Sequence, residues 1–295
     1  MPARQDTADS ARPAAERSWP EGPSVPGRPQ LGFWYYRALV LNFANRDLRA
    51  RYKGTLLGFA WSLMVPIATV VIYSVVFGII FRGDPPTMGN GETGPFFLWL
   101  FTGLVPWGMY SVTLGTSIAS LLGNGPLMKK IYFPAYASVF GSVLASFYQS
   151  LIEFAVLVLI LVVLGNVGLS WLVLVVWLAL FVAFVAATSL ALAVLNVHFR
   201  DTAYLVGIVV QMQFYLTPII YQTNQVPEYW HGVPLRNIII YQPLAIFVEI
   251  FRSLIYELTL GRGVAWLVAA GWTLLAVGIS IVVYRRHGLD LSEEM

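Results

Sequence analysis

Three sets of side chains in this chain have types and spacings that can do chemistry. The first is a basic and aromatic run, Arg46, Arg49, Arg51, Tyr52 and Lys53. Guanidinium forks pair bidentately with phosphate oxygens, so this run suits an anionic lipid head; plain attraction to anionic lipid, about 1 kcal/mol per cation near the surface, explains the same charges. The second set places amides and rings inside apolar sequence: Gln211, Gln213 and Tyr215, with Trp61 and Tyr73 upstream. Gln211 and Tyr215 are four apart and share a helix face. Polar groups at membrane depth need a neighbouring helix, water or a ligand, so the set serves either helix association or the lining of a channel. The third set is Asn124, Leu127, Met128, Lys129, Lys130, Ile131 and Tyr132. A short segment that is both basic and apolar can plug into a groove on a soluble partner, or its lysines can merely set topology.

Several other chemistries are excluded. There is no cysteine, hence no disulfide and no thiolate metal site. His198, His231 and His287 are widely separated in the sequence, and a metal site is not expected. The chain contains no Gly-rich loop ending in Gly-Lys-Ser/Thr and no His-Glu-x-x-His, so it does not hydrolyse ATP by itself. Glu153 alone interrupts a long apolar run, which is too little ionisable chemistry for an ion-coupled carrier, and no internal repeat is visible.

The elements that position these groups follow from composition. With 58% hydrophobic and 11% charged residues and a mean hydropathy of +0.70, a soluble domain could not keep its surface polar, so bilayer is the solvent. Residues 1–30 hold six of the 17 prolines among scattered charges, the composition of a disordered tail, and lack the apolar run of a signal peptide. Residues 31–53 carry too much charge to cross a membrane and fit an amphipathic helix in the headgroup plane. Residues 54–295 then form an all-α integral membrane domain of six spans.

The expected spans are 56–81, 96–122, 135–164, 171–197, 204–221 and 264–284, judged against the roughly 20 residues that cross the hydrocarbon. The fifth is short and carries Gln211 and Gln213. Between spans five and six, residues 237–248 are apolar but too short to cross, and Glu249, Arg252, Glu257 and Arg262 follow at helical intervals. Two short helices dipping into the outer leaflet fit this pattern. A pair of true spans would place charge at membrane depth, at about 2.5–3.5 kcal/mol per central charge. Lys and Arg cluster before span one, after spans two and four and after span six, so both termini are expected in the cytoplasm. At the entry to span one, Gly54 suits a sharp turn, Gly58 a close helix approach and Pro66 a kink.

The same junction resembles the membrane subunits of ATP-binding-cassette exporters for O-antigen, teichoic acid and related cell-wall polysaccharides. Their first span opens with a pattern matched here by Tyr52, Lys53, Thr55, Leu57, Gly58, Trp61 and Pro66. Asn124 to Pro134 resembles the family's cytoplasmic segment between spans two and three. Asn196, Arg200 and Asp201 resemble its turn after span four, and Tyr215 to Tyr221 its fifth-span end. Gln242-Pro243-Leu244 with Glu249 and Arg252 resembles a further family segment, with Gln242 departing from the usual Asn.

The resemblance implies a permease in the cytoplasmic (inner) membrane, two copies of it pairing with two copies of a separate ATPase that binds ATP and Mg; the chain itself has no cofactor and no nucleic-acid partner. The cytoplasmic segment 124–134 would be the coupling helix. A polyprenyl-pyrophosphate-linked glycan would be the passenger, with Arg46, Arg49, Arg51, Tyr52 and Lys53 at its anionic head. Trp61, Tyr73, Gln211, Gln213 and Tyr215 would lie along its path, because sugar CH groups stack on aromatic faces. An exporter of drugs, peptides or lipids on the same fold, and a membrane-embedded glycan polymerase or ligase, are the alternatives.

Overall fold

The computed structural model describes residues 36–54, 58–80, 85–128 and 133–288. The expected tail 1–30, the first residues of the segment expected to be interfacial (31–35) and the segment 129–132 lie outside them. Nine α-helices follow one another among the described residues: α1 (Arg37–Tyr52), α2 (Trp61–Tyr73), α3 (Phe96–Met128), α4 (Ala135–Val163), α5 (Leu174–His198), α6 (Thr202–Leu216), α7 (Leu235–Tyr241), α8 (Pro243–Ile255) and α9 (Gly263–His287). A bilayer offers backbone groups no water, so a chain this apolar closes its hydrogen bonds inside helices.

Four of these are long and apolar enough to cross a membrane: α3, α4, α9, and α5 together with the 3-10 turn Leu169–Val173 that leads into it. The remaining two expected spans are shorter as apolar helices. The first continues from α2 into a π-helix, Ser74–Ile80, and α6 covers only 15 residues. Between α1 and α2 the backbone turns at Gly54 and Gly58, with φ of +78° and +50°. No described neighbour comes within 4 Å of where a Gly58 side chain would begin. Gly58 therefore serves the turn, where a side chain would be strained, rather than the close helix approach expected of it.

After α6 come two short helices, α7 and α8, which meet at 74° across Gln242 and Pro243 and are together apolar enough for one broken span or a re-entrant loop. Proline is tolerated at the start of α8, where its missing N–H has no helical partner. α8 is no peripheral element: Leu244, Ile246, Phe247, Phe251, Leu254 and Ile255 are fully buried against α3, α4, α5 and α9. The last carbonyls of a helix lack intrahelical donors. Here side chains from the turn before α5 supply them, Ser170 to Leu254 (2.7 Å) and Asn166 to Ile255 and Tyr256 (3.1 and 2.9 Å). Trp177 of α5 donates to the Phe247 carbonyl at 2.9 Å.

α1 packs on α4 and on the end of α3. Phe43 and Ala44 are buried, the Phe43 ring lies 5.2 Å from that of Phe133, and Gly141 of α4 leaves the space that Phe43 fills. One face of α1 is thus covered by protein, while Leu41, Arg49 and Ala50 remain exposed.

Candidate functional site

The basic run and the Asn124 segment, expected to do separate work, meet in one corner. Arg46 donates through Nη1 to Asn124 Oδ1 at 2.7 Å and pairs with Asp47 at 2.8 Å. Asn124 is buried, and its amide in turn donates to the Ser120 carbonyl (2.7 Å) and to Ser138 Oγ of α4 (2.6 Å). Arg51 reaches Gln149 Oε1 at 2.7 Å and Ser146 Oγ at 2.9 Å, both on α4. Arg49 and Lys53 are exposed. Tyr52 closes α1.

The segment beginning at Asn124, expected beyond the end of the second span, continues α3 as helix through Met128, past Pro126. A helix tolerates this because its last turns are held from outside, by the Arg46 and Ser138 bonds to Asn124 and by Leu127 and Met128 packing around Phe43, Phe133 and Ala137. Lys129, Lys130, Ile131 and Tyr132 lie outside the described residues.

The five path candidates divide by direction. Tyr73 stacks on Phe214 with centroids 5.9 Å apart, and Trp107 meets the same ring edge-on at 4.7 Å. Gln213 accepts a hydrogen bond from Tyr110 Oη at 3.0 Å, which ties α6 to α3. These two candidates are bound into the protomer. Gln211, Tyr215 and Trp61 point outward and are exposed. An outward amide and phenol on an apolar helix call for water, a ligand or another chain.

A third cluster centres on Arg252, which stood out in the sequence by charge spacing and by the resemblance of its segment, but whose partners did not. Arg252 of α8, only 8% exposed, lies with its guanidinium carbon 4.1 Å from the centroid of the Trp99 ring. It donates to the carbonyls of Pro218 and Ile219 (2.6 Å for the latter), to Thr102 Oγ1 at 3.3 Å and to the Trp99 carbonyl at 3.4 Å. Gly103 makes this possible, since any side chain there would collide with the guanidinium. One arginine therefore joins α8, the start of α3 and the chain leaving α6. Its acceptors lie 33 to 153 residues away, mostly backbone carbonyls that have no sequence signature. Nearby, Glu249 and Arg262 form a two-pronged ion pair at 2.7 and 2.6 Å, and the carboxylate raises the pKa of the guanidinium.

Comparison with known proteins places this geometry in context. The family model described as "ABC-2 type transporter" matches residues 39–256. The O-antigen export system permease protein RfbA of Klebsiella pneumoniae is 30% identical over 88% of this chain and 95% of its own. The protein of the same name from Myxococcus xanthus is 26% identical over 86% of this chain and 95% of its own. The polysialic acid transport protein KpsM of Escherichia coli is 22% identical over 87% and 96%.

Proposed function

Because the chain belongs to the ABC-2 type transporter family of membrane proteins, we propose that it is the permease subunit of a polysaccharide exporter. The observation that carries this reading is the breadth of the likeness. Relatives named for O-antigen export and polysialic acid transport align along nearly the whole chain, through α1, the helical core and the α7–α8 pair.

In the finer reading, the chain is a multi-pass protein of the inner membrane with both termini in the cytoplasm. It crosses six times, through α2 with its π-helical extension, α3, α4, α5, α6 and α9, while α7 and α8 dip into the outer leaflet. Two copies pair with two copies of an ATPase that holds ATP and Mg; this chain carries no cofactor of its own. The passenger is a glycan headed by polyprenyl pyrophosphate.

Each corner then has a task. The end of α3 with residues 127–132 meets the ATPase, and because Asn124 is bonded to α1 and α4, a push on that end moves three helices together. Arg49 and Lys53, free of the contacts that hold Arg46 and Arg51, are the cations best placed to receive a pyrophosphate. Gln211, Tyr215 and Trp61 line the path between the two copies, and Tyr73 and Gln213 support it from behind.

The test is ATPase activity of the chain purified together with its nucleotide-binding partner, with and without Lys129→Glu and Lys130→Glu. Stable co-purification and a fall in activity on charge reversal are expected. If no ATPase travels with the chain, the half-transporter reading fails; if it binds and the reversals change nothing, the coupling assignment fails.

A further inference from the structure

We propose that the cleft between α8 and the segments around residues 86, 222–224 and 257–262 is a binding subsite for an uncharged saccharide. The inference rests on the export reading above and narrows it, naming a passenger whose sugars at this subsite are neutral rather than acidic.

Two adjoining cavities, of about 290 and 520 Å³, share Thr223, Ile240, Glu249 and Glu257 in their walls. Volumes of this order suit small-molecule ligands. Charge decides which kind. Among the described lining residues there are two cations, Arg252 and Arg262, and two carboxylates, Glu249 and Glu257. Neither sign is in surplus.

The charged groups are also engaged, Glu257 with the Ser253 hydroxyl. Arg252 already donates from Nε and both terminal nitrogens to Thr102, Pro218, Ile219 and Trp99. Arg262 and Glu249 hold each other through two hydrogen bonds. An anion such as phosphate needs cationic donors that are not spent, and calcium needs several carboxylate or carbonyl oxygens turned to one point. This cleft supplies neither.

What it does supply is a wall of neutral groups, Thr223, Asn224, Ser253 and Thr259, beside the apolar faces of Ile240 and Val248. Hydroxyls and an amide that both donate and accept, set against hydrocarbon, match a pyranose ring, whose edge is hydroxyl and whose faces are CH. The cleft also sits against the Arg252 junction, so an occupant would touch the same helix that holds the end of α6.

The experiment is saturation-transfer difference NMR on the purified full-length chain in nanodiscs. The probe is a neutral galacto-oligosaccharide, with a sialic acid trimer and inorganic phosphate as competitors. Transfer to the neutral sugar is expected, with a dissociation constant of about 1 mM, a range in which such exchange is readily seen. Thr223→Trp, which fills the cleft, is expected to reduce the signal at least about fivefold, the loss of roughly 1 kcal/mol. Because a bulky residue can disturb folding, Asn224→Ala with Thr259→Val is measured in parallel, and only variants that keep the parent's thermal unfolding temperature are compared. The proposal is overturned by absence of transfer, by displacement with phosphate or the acidic trimer, or by a signal that survives the cleft variants and falls instead with Gln211→Ala. None of these outcomes bears on whether an ATPase co-purifies, so failure of the subsite and failure of the export reading are separable.

Discussion

Arg46 of α1 donates to Asn124 near the end of α3 across 2.7 Å, so α1 and the segment proposed to meet the ATPase are joined by one hydrogen bond. The bond is charge-assisted, and its acceptor is buried while the arginine stays half exposed. Loss of the arginine leaves the Asn124 oxygen short of a donor; loss of the asparagine leaves Arg46 with Asp47 and water.

A double-mutant cycle follows from that asymmetry. Asn124→Ala is expected to destabilise the purified protein more than Arg46→Ala does, because it also removes the bonds to Ser120 and Ser138. The pair is expected to be less than additive, with an interaction of about 1 kcal/mol. Thermal unfolding in detergent measures it, and strict additivity would place the two residues in separate units.

Gly141 sets how closely α1 lies on α4. Gly141→Leu would drive a side chain into Phe43 and the backbone of α1, an overpacking cost of about 1–3 kcal/mol. Separation of α1 relieves it at less expense than distortion of α4. Hydrogen exchange is expected to rise along 37–52 and to stay unchanged along 135–163; equal protection in α1 would contradict the packing described.

Arg252 is expected to tolerate replacement badly. Its acceptors are buried, and an unmet buried carbonyl costs about 1–3 kcal/mol. Arg252→Met is expected to lower stability by about 3 kcal/mol or more, and Arg252→Lys to recover only part, because an ammonium cannot span the carbonyls, the hydroxyl and the Trp99 face together. Thermal scans of the two variants check this; a methionine variant as stable as the parent would remove Arg252 from the junction.

Gln213 and Gln211 differ by direction, and export should tell them apart. Tyr110→Phe and Gln213→Ala each break the bond between α3 and α6, at about 0.6 kcal/mol for an average hydrogen bond between membrane helices, and are expected to act alike and not to add. Gln211→Ala and Tyr215→Ala are expected to leave thermal stability within about 0.5 kcal/mol, as exposed positions do, and to slow export of glycan to the cell surface. Unimpaired export in both would move the path away from this face of α6.

The long helices were legible because composition is decisive in a chain this apolar: α3, α4, α5 and α9 appear where the long uncharged runs are. The short apolar stretch 237–248 pointed to short helices there, but the break at Gln242 and Pro243 falls inside it. The Asn124 segment was less legible. Gly125 and Pro126 are poor helix formers, and contacts from α1 and α4 that no linear pattern shows keep the residues helical to Met128. Local propensity is a weak signal against such tertiary contacts.

By itself the sequence determined the solvent, the helical class, the basic junction before α2 and the family, because each depends on residue type and on spacing along the chain. Only the tertiary structure decided which cations remain available, which amides face outward, and that Arg252 joins three elements. Those properties depend on partners far apart in sequence, many of them backbone carbonyls that every residue carries. A linear pattern can say that an arginine stands in an apolar helix; the fold alone says that its charge is met by Trp99, Thr102, Pro218 and Ile219.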